Sequence, residues 1–211
     1  MSSASALPRP PRQRRSRESS ERVIKAGLEL LDELEYDSFT IAEVSRRAGV
    51  SVGSIYARFG SKDDLFLVLH DRAMDEIERE HRAAFDAIAW AELDDRESIR
   101  RAVRALTDVF HRHASMLRVF MLRGALDPQV LVRGSTAVRE VQAAFAAGVL
   151  THRVAMRHPE PELALDVFFR MAFAVLARRI VYGPLHESGR SLSWDDLADE
   201  LAEVCAAYLL D

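Results

Sequence analysis

The 211-residue chain contains a single cysteine, Cys205, so neither an internal disulfide nor a cysteine-based zinc cluster can form. Long apolar runs are also missing. The most apolar stretch, residues 167–181, is interrupted by Arg170, Arg178 and Arg179, which argues against a membrane span. No signal peptide is recognisable, and together with the free thiol this points to the cytoplasm. Strict apolar–polar alternation and Asn-Gly or Asp-Gly hairpin signals are lacking, so strands are not expected. A phosphate loop and a paired His-Glu zinc motif are lacking too, and no metal or cofactor is expected. What the chain does have is a 48% hydrophobic content, enough to bury a sizeable core.

Its net charge of −4 is unevenly spread. Residues 1–62 carry +3 and residues 63–211 carry −7. Five arginines (Arg9, Arg12, Arg14, Arg15 and Arg17) precede the first acidic residue, Glu18. Basic charge at one end of an acidic protein fits a polyanionic partner at that end. The Ser-, Pro- and Arg-rich residues 1–17 have little to bury and read as a disordered basic arm.

Thereafter the pattern is helical. The first helix is expected over about 19–35, with an apolar stripe of Val23, Ile24, Gly27, Leu28, Leu31 and Leu34. Thr40 and Glu43 form a capping-box pattern, Ser51 can cap the next segment, and Ser61 opens a long helix to about Ala84 or beyond. Further helices are expected at roughly 95–113, 115–123, 128–156, 161–181 and 194–210. Asp127-Pro128 and Ser193 mark starts, and Gly183-Pro184 marks a stop.

Residues 40–59 carry the most chemistry. Ile41, Val44 and Ala48 share one face of a short helix; Ile55 and Phe59 share one face of the next. Val50 fills the corner, and Gly49 allows the positive φ that the turn demands. This is a helix-turn-helix pattern. The outer face of its second helix (Ser51, Val52, Gly53, Ser54) is small enough to sink into a DNA major groove. Tyr56 and Lys62 follow as hydrogen-bond donors, placed where a duplex backbone would run. Gly49-Val50-Ser51-Val52-Gly53 also fits the Gly-x-Ser-x-Gly pattern of hydrolases. That motif needs a preceding strand in an α/β sheet, and here a capped helix precedes it, so an enzyme is not expected.

Thr40 to Leu65 resembles the DNA-binding signature of TetR-type transcriptional regulators. The likeness rests on Thr40, Ile41, Val44, Ala48-Gly49-Val50-Ser51, Gly53-Ser54-Ile55-Tyr56, Phe59, Ser61-Lys62 and Leu65. It implies an all-α fold of about nine helices: a three-helix head at 18–62 and a ligand-binding and dimerisation bundle at 63–211. By resemblance, Thr40, Tyr56 and Lys62 contact phosphates, while Ser51, Val52, Gly53 and Ser54 face the bases. Val52 suits a thymine methyl and the serines suit several base edges. Arg58 replaces a frequent His or Tyr and adds a candidate phosphate contact. Arg46 and Arg47 are open between DNA contact and solvated charge. Ser45 stands where a buried alanine is usual, and Ala42 where a polar residue is frequent.

The helix expected at 161–181 is apolar on both sides. Leu165, Phe169, Ala172, Phe173, Leu176 and Ile180 line one side; Val167, Phe168, Met171, Ala174 and Val175 line the other. A helix apolar all round is buried all round, which implies a partner chain on one side. Leu197, Leu201, Val204, Cys205 and Tyr208 supply a second face. A homodimer is therefore expected through Phe168, Met171, Val175, Leu197, Leu201, Val204 and Tyr208, as in the TetR family. The resemblance further implies a small-molecule effector pocket among the middle helices. Its candidate lining is Phe110, His113, Met116, Phe120, Phe145, His152, Phe169 and Phe173, although aromatics at helical spacing are core more often than pocket. The expected function is a dimeric repressor released from palindromic double-stranded DNA by an effector. The alternative is an effector-independent regulator or architectural protein whose C-terminal part only dimerises.

Overall fold

In the computed structural model, which describes residues 11–186 and 188–211, the described residues form nine α-helices and no strand. These are α1 (Pro11–Glu33), α2 (Ile41–Ala48), α3 (Val52–Phe59), α4 (Lys62–Asp86), α5 (Asp95–Arg112), α6 (Ala114–Gly124), α7 (Pro128–Val149), α8 (Pro161–Tyr182) and α9 (Trp194–Leu210). The helical class and helix number agree with the sequence expectation. So do several caps. Asp127 accepts from the Gln129 N–H with Pro128 at the first helical position. Ser193 and Asp196 form a reciprocal capping box. The Thr40 hydroxyl accepts from the Glu43 N–H, but the Glu43 carboxylate turns away to Arg46 instead of closing the expected box.

Two helix boundaries differ from expectation. α1 begins at Pro11, so residues 11–17, read as disordered arm, are helical. Proline is well suited to a first turn, and an Arg14–Glu18 pair at 3.2 Å supports the exposed helix face. α7 ends at Val149 instead of running to 156, and a 3-10 segment takes over across 150–155. His152 leaves helical geometry there (φ −96°, ψ 18°). One turn earlier, Gly148 lies so close to Trp90 that a Cβ would stand 2.3 Å from the ring.

The chain divides into two compact units, one ending at Leu69 and the other His70–Asp211. The division falls about two turns later in α4 than the expected 62/63 boundary. The cause is that Leu65, Phe66 and Leu69 are buried in the first unit together with Val23, Leu30, Leu31, Phe39, Val44 and Ile55.

The second unit is a helical bundle built around Ile99, Leu106, Phe145, Phe168, Leu176 and Leu209. α5 and α9 run antiparallel, and a ladder of arginines at four-residue spacing joins them. Arg96 meets Asp211 at 2.6 Å, Arg100 meets Glu203 at 3.2 Å, and Arg104 meets both Asp195 and Asp199 at 2.8 Å. Cys205 is buried, and burial pushes its thiol pKa up. Among the described residues no helix is long and apolar enough to cross a membrane.

Candidate nucleic-acid interface

The corner between α2 and α3 is set by backbone geometry. Gly49 adopts φ 61°, ψ 38°, the left-handed conformation that a side chain disfavours. The Ser45 hydroxyl donates to the Val50 carbonyl at 2.7 Å and closes the turn. Serine at that position therefore has a bonding role that its departure from the family pattern did not reveal. Ile55 is buried at 1% exposure and fixes the rotation of α3, while Phe59 and Val50 are half-buried. With that rotation fixed, Ser51, Val52, Gly53, Ser54 and Tyr56 all face outward. A Cβ added to Gly53 would meet no atom within 4 Å, so a ligand can approach the backbone there. Ser51 caps α3 by accepting from the Ser54 N–H, and the two hydroxyls lie 2.8 Å apart.

The cations around this face have divided roles. Arg47 makes a two-bond pair with Glu33, both bonds 2.8 Å, which ties α2 to α1 and marks it as a clamp. Arg22 donates to the Ala48 carbonyl at 3.1 Å and braces the same junction. Arg46 is exposed and, among the described residues, paired only with Glu43, one turn away, which leaves it at the surface. The bonded carboxylates Glu33 and Glu43 are held below the usual range by those arginines. Lys62, expected at a phosphate, donates to the Tyr36 carbonyl at 2.8 Å and sits 4.1 Å from the Tyr36 ring centre. Arg58 donates to the carbonyl and hydroxyl of Ser16. Thr40 and Tyr56 are exposed. Of the arm arginines, Arg14, Arg15 and Arg17 are exposed on α1; Arg9 and the Arg12 side chain lie outside the described residues. The Gly-x-Ser-x-Gly match is a turn between two helices, and residues 1–69 contain no histidine to activate Ser51.

The candidate effector residues lie in the second unit. Phe110, Met116, Phe120, Phe145 and Phe169 are buried, and Phe173 is half-buried. Phe145 packs about 6 Å from the rings of Phe85, Phe168 and Phe169, and Phe110 meets Phe173 edge-on at 5.8 Å. His113 contacts Glu80 at 3.0 Å and His152 contacts Asp95 at 2.7 Å. Sequence reading missed His70 and His81 on α4, each 1% exposed, with burial lowering both pKa values. Of the candidate dimer residues, Phe168, Leu197 and Leu201 are buried within their own unit and offer little to a partner. Met171, Val175, Val204 and Tyr208 are exposed, and Leu163 and Tyr182 join them at the surface of α8. Among the described residues no three His, Cys, Asp or Glu side chains gather as a metal site.

Residues 23–69 match the family described as bacterial regulatory proteins, tetR family. An HTH-type transcriptional repressor of Mycobacterium tuberculosis is 30% identical over 138 residues, which is 64% of this chain and 49% of the repressor. The chain thus spans about half the length of that relative. A TetR-family regulator from Mesorhizobium loti superposes with a TM-score of 0.72 at 18% identity, covering 93% of this chain and 99% of that one. A transcriptional regulator from Saccharomonospora viridis, solved in complex with choline, superposes with a TM-score of 0.74 at 16% identity, covering 92% and 99%. At these identities the two structures establish a shared fold.

Proposed function

Because the chain belongs to the tetR family of bacterial regulatory proteins, we propose that it is a sequence-specific transcriptional repressor that binds a palindromic operator as a homodimer. One observation carries this reading: a short α3 whose buried Ile55 turns a side-chain-poor face, with open Gly53 at its centre, toward solvent. A helix this small on its outer side can lie deep in the major groove. Ser54 and Val52 then read bases, and Thr40 and Tyr56 hold the backbone. The exposed stripe of Met171, Val175, Val204 and Tyr208 supplies the dimer contact that duplicates the reading head.

Release by a small effector is the second part of the proposal. A neighbour of the same fold holds choline, which supports a small-molecule role for this bundle. The aromatic candidates suit an apolar or aromatic effector. α4 is continuous from Lys62 to Asp86, so a shift in the bundle would be carried along it and would alter the spacing of the two heads. The close ring packing around Phe145 and the hydrogen bonds of His113 to Glu80 and of His152 to Asp95 favour the alternative, in which the bundle only dimerises.

Selection of bound duplexes from a random pool tests the DNA reading. A palindromic site should emerge, with affinity falling steeply as salt rises. Ser54→Ala should change the base preference, and Tyr56→Phe should weaken binding to all sequences alike. Equal affinity of the wild-type protein for every duplex would refute the proposal.

A further inference from the structure

A cleft of about 670 Å³ lies between the N-terminal half of α1 and α3. Its polar wall consists of Arg15, Ser16, Ser19, Ser20, Ser54 and Arg58, beside apolar residues that include Ile55. No acidic residue lines it, in a chain whose acidic residues outnumber its Lys and Arg by 33 to 29. Guanidinium groups and hydroxyls without a competing carboxylate make a donor set suited to a phosphate.

The arginines are poised for an acceptor. Arg58 uses Nη1 for both of its hydrogen bonds, 3.0 Å to the Ser16 carbonyl and 2.7 Å to its hydroxyl. That anchor fixes the guanidinium at the cleft and leaves Nε and Nη2 for a ligand. Arg15 has no hydrogen-bond or ion-pair partner among the described residues, unlike Arg14, which is paired with Glu18. Ser54 belongs both to the cleft wall and to the exposed face of α3. An anion in the cleft would therefore lie one side chain away from the base-reading surface.

We propose that this cleft seats a backbone phosphate of the bound duplex, gripped by Arg15 and by an Arg58 that Ser16 holds in place. The proposal rests on the DNA-binding reading and deepens it. It gives the start of α1 a defined post beside the reading helix, and it makes Arg58 a pre-anchored grip instead of a free surface cation.

The test uses the full chain on its selected operator. Arg15→Gln together with Arg58→Gln should reduce affinity about 10- to 100-fold for operator and unrelated duplex alike. The slope of log K against log salt should become shallower by about 1 per half-site, since the one neutralised phosphate there contributes about 0.9. Base preference should stay unchanged. Ethylation of one phosphate per half-site, inhibitory for wild type, should no longer interfere with the double variant. Arg15→Gln alone changes only an exposed side chain on α1 and should remove about half of the slope change, so a folding defect in the double variant leaves the question answerable. An unchanged slope and ethylation pattern in both variants would overturn the proposal. So would calorimetry showing that inorganic phosphate occupies the cleft without DNA while the variants keep the wild-type salt slope, which would assign the cleft to a free anion. If the wild-type protein binds no duplex, the regulator reading falls first and this proposal with it.

Discussion

His81 offers a quantitative check on the packing of the bundle. Its imidazole is 1% exposed, lies 6.1 Å from the Phe85 ring and 5.8 Å from the Phe110 ring, and donates from Nδ1 to the Ile77 carbonyl at 2.9 Å. Burial lowers its pKa from 6.5 to about 4, because the charged ring would lose its hydration. The nearby Glu80 and His113 act in opposite directions and are weaker than burial. In the unfolded chain the ring returns to about 6.5. Between these values the unfolded state binds a proton that the native state refuses, so stability rises with pH across this window and levels off above it. At about 1.36 kcal/mol per pH unit, the native state loses roughly 3 kcal/mol between pH 6.5 and pH 4 through this one group. His81→Asn keeps a donor for Ile77 and does not titrate. Urea unfolding at fixed protein concentration, followed by the fluorescence of Trp90 and Trp194, reports this unit alone, since both tryptophans lie beyond His70. The advantage of wild type over His81→Asn should shrink by about 3 kcal/mol from pH 7 to pH 4. An advantage that is constant with pH, or an imidazole that titrates near 6.5 by NMR, would refute the reasoning.

Other expectations follow from single positions. Gly49→Ala meets no neighbour within 4 Å, so its cost is backbone strain alone, about 1–2 kcal/mol; Gly49→Asn should recover much of it, and an equal loss for both in urea titrations would contradict this. Gly148→Ala drives a Cβ into Trp90 and should cost about 1–3 kcal/mol with a red-shifted tryptophan emission; an unshifted spectrum would count against the contact. Met171→Glu with Val204→Glu places charge on the exposed stripe and should leave a monomer in sedimentation velocity that has lost most of its operator affinity; a surviving dimer would exclude this face.

Much of the reading head was legible in the sequence because its signals are local. Gly49 marks the corner, Thr40 and Ser51 mark helix starts, and the buried spacing of Ile41, Val44, Ala48 and Ile55 sets which side faces out. Partners distant in sequence were not legible. Nothing near Arg47 announces Glu33, and nothing near Arg58 announces Ser16, 42 residues away. α8 failed for a different reason. Apolar on all sides, it carries almost no periodic signal, and Phe168 was assigned outward although it lies in the core. The buried histidines were hidden by composition, because His81 sits in the charge-dense run Asp75–Arg82 that reads as a solvated surface. Polar composition also concealed the helix over 11–17.

The arginine ladder between α5 and α9 has a consequence for the order of biosynthesis. Its pairs join residues 91 to 115 positions apart, so the rung that closes the bundle becomes available only once the last helix has left the ribosome. The first unit ends at Leu69, and the residues that build its core, from Val23 to Leu69, have all been made by then. A nascent chain would therefore carry a finished head while its bundle is still an open arc with α5 uncovered. During that interval the apolar side of α5 (Ile99, Val103 and Leu106) is what a ribosome-associated chaperone would meet, and the buried apolar residues of α9 (Leu201, Cys205 and Leu209) would take its place once that helix arrives.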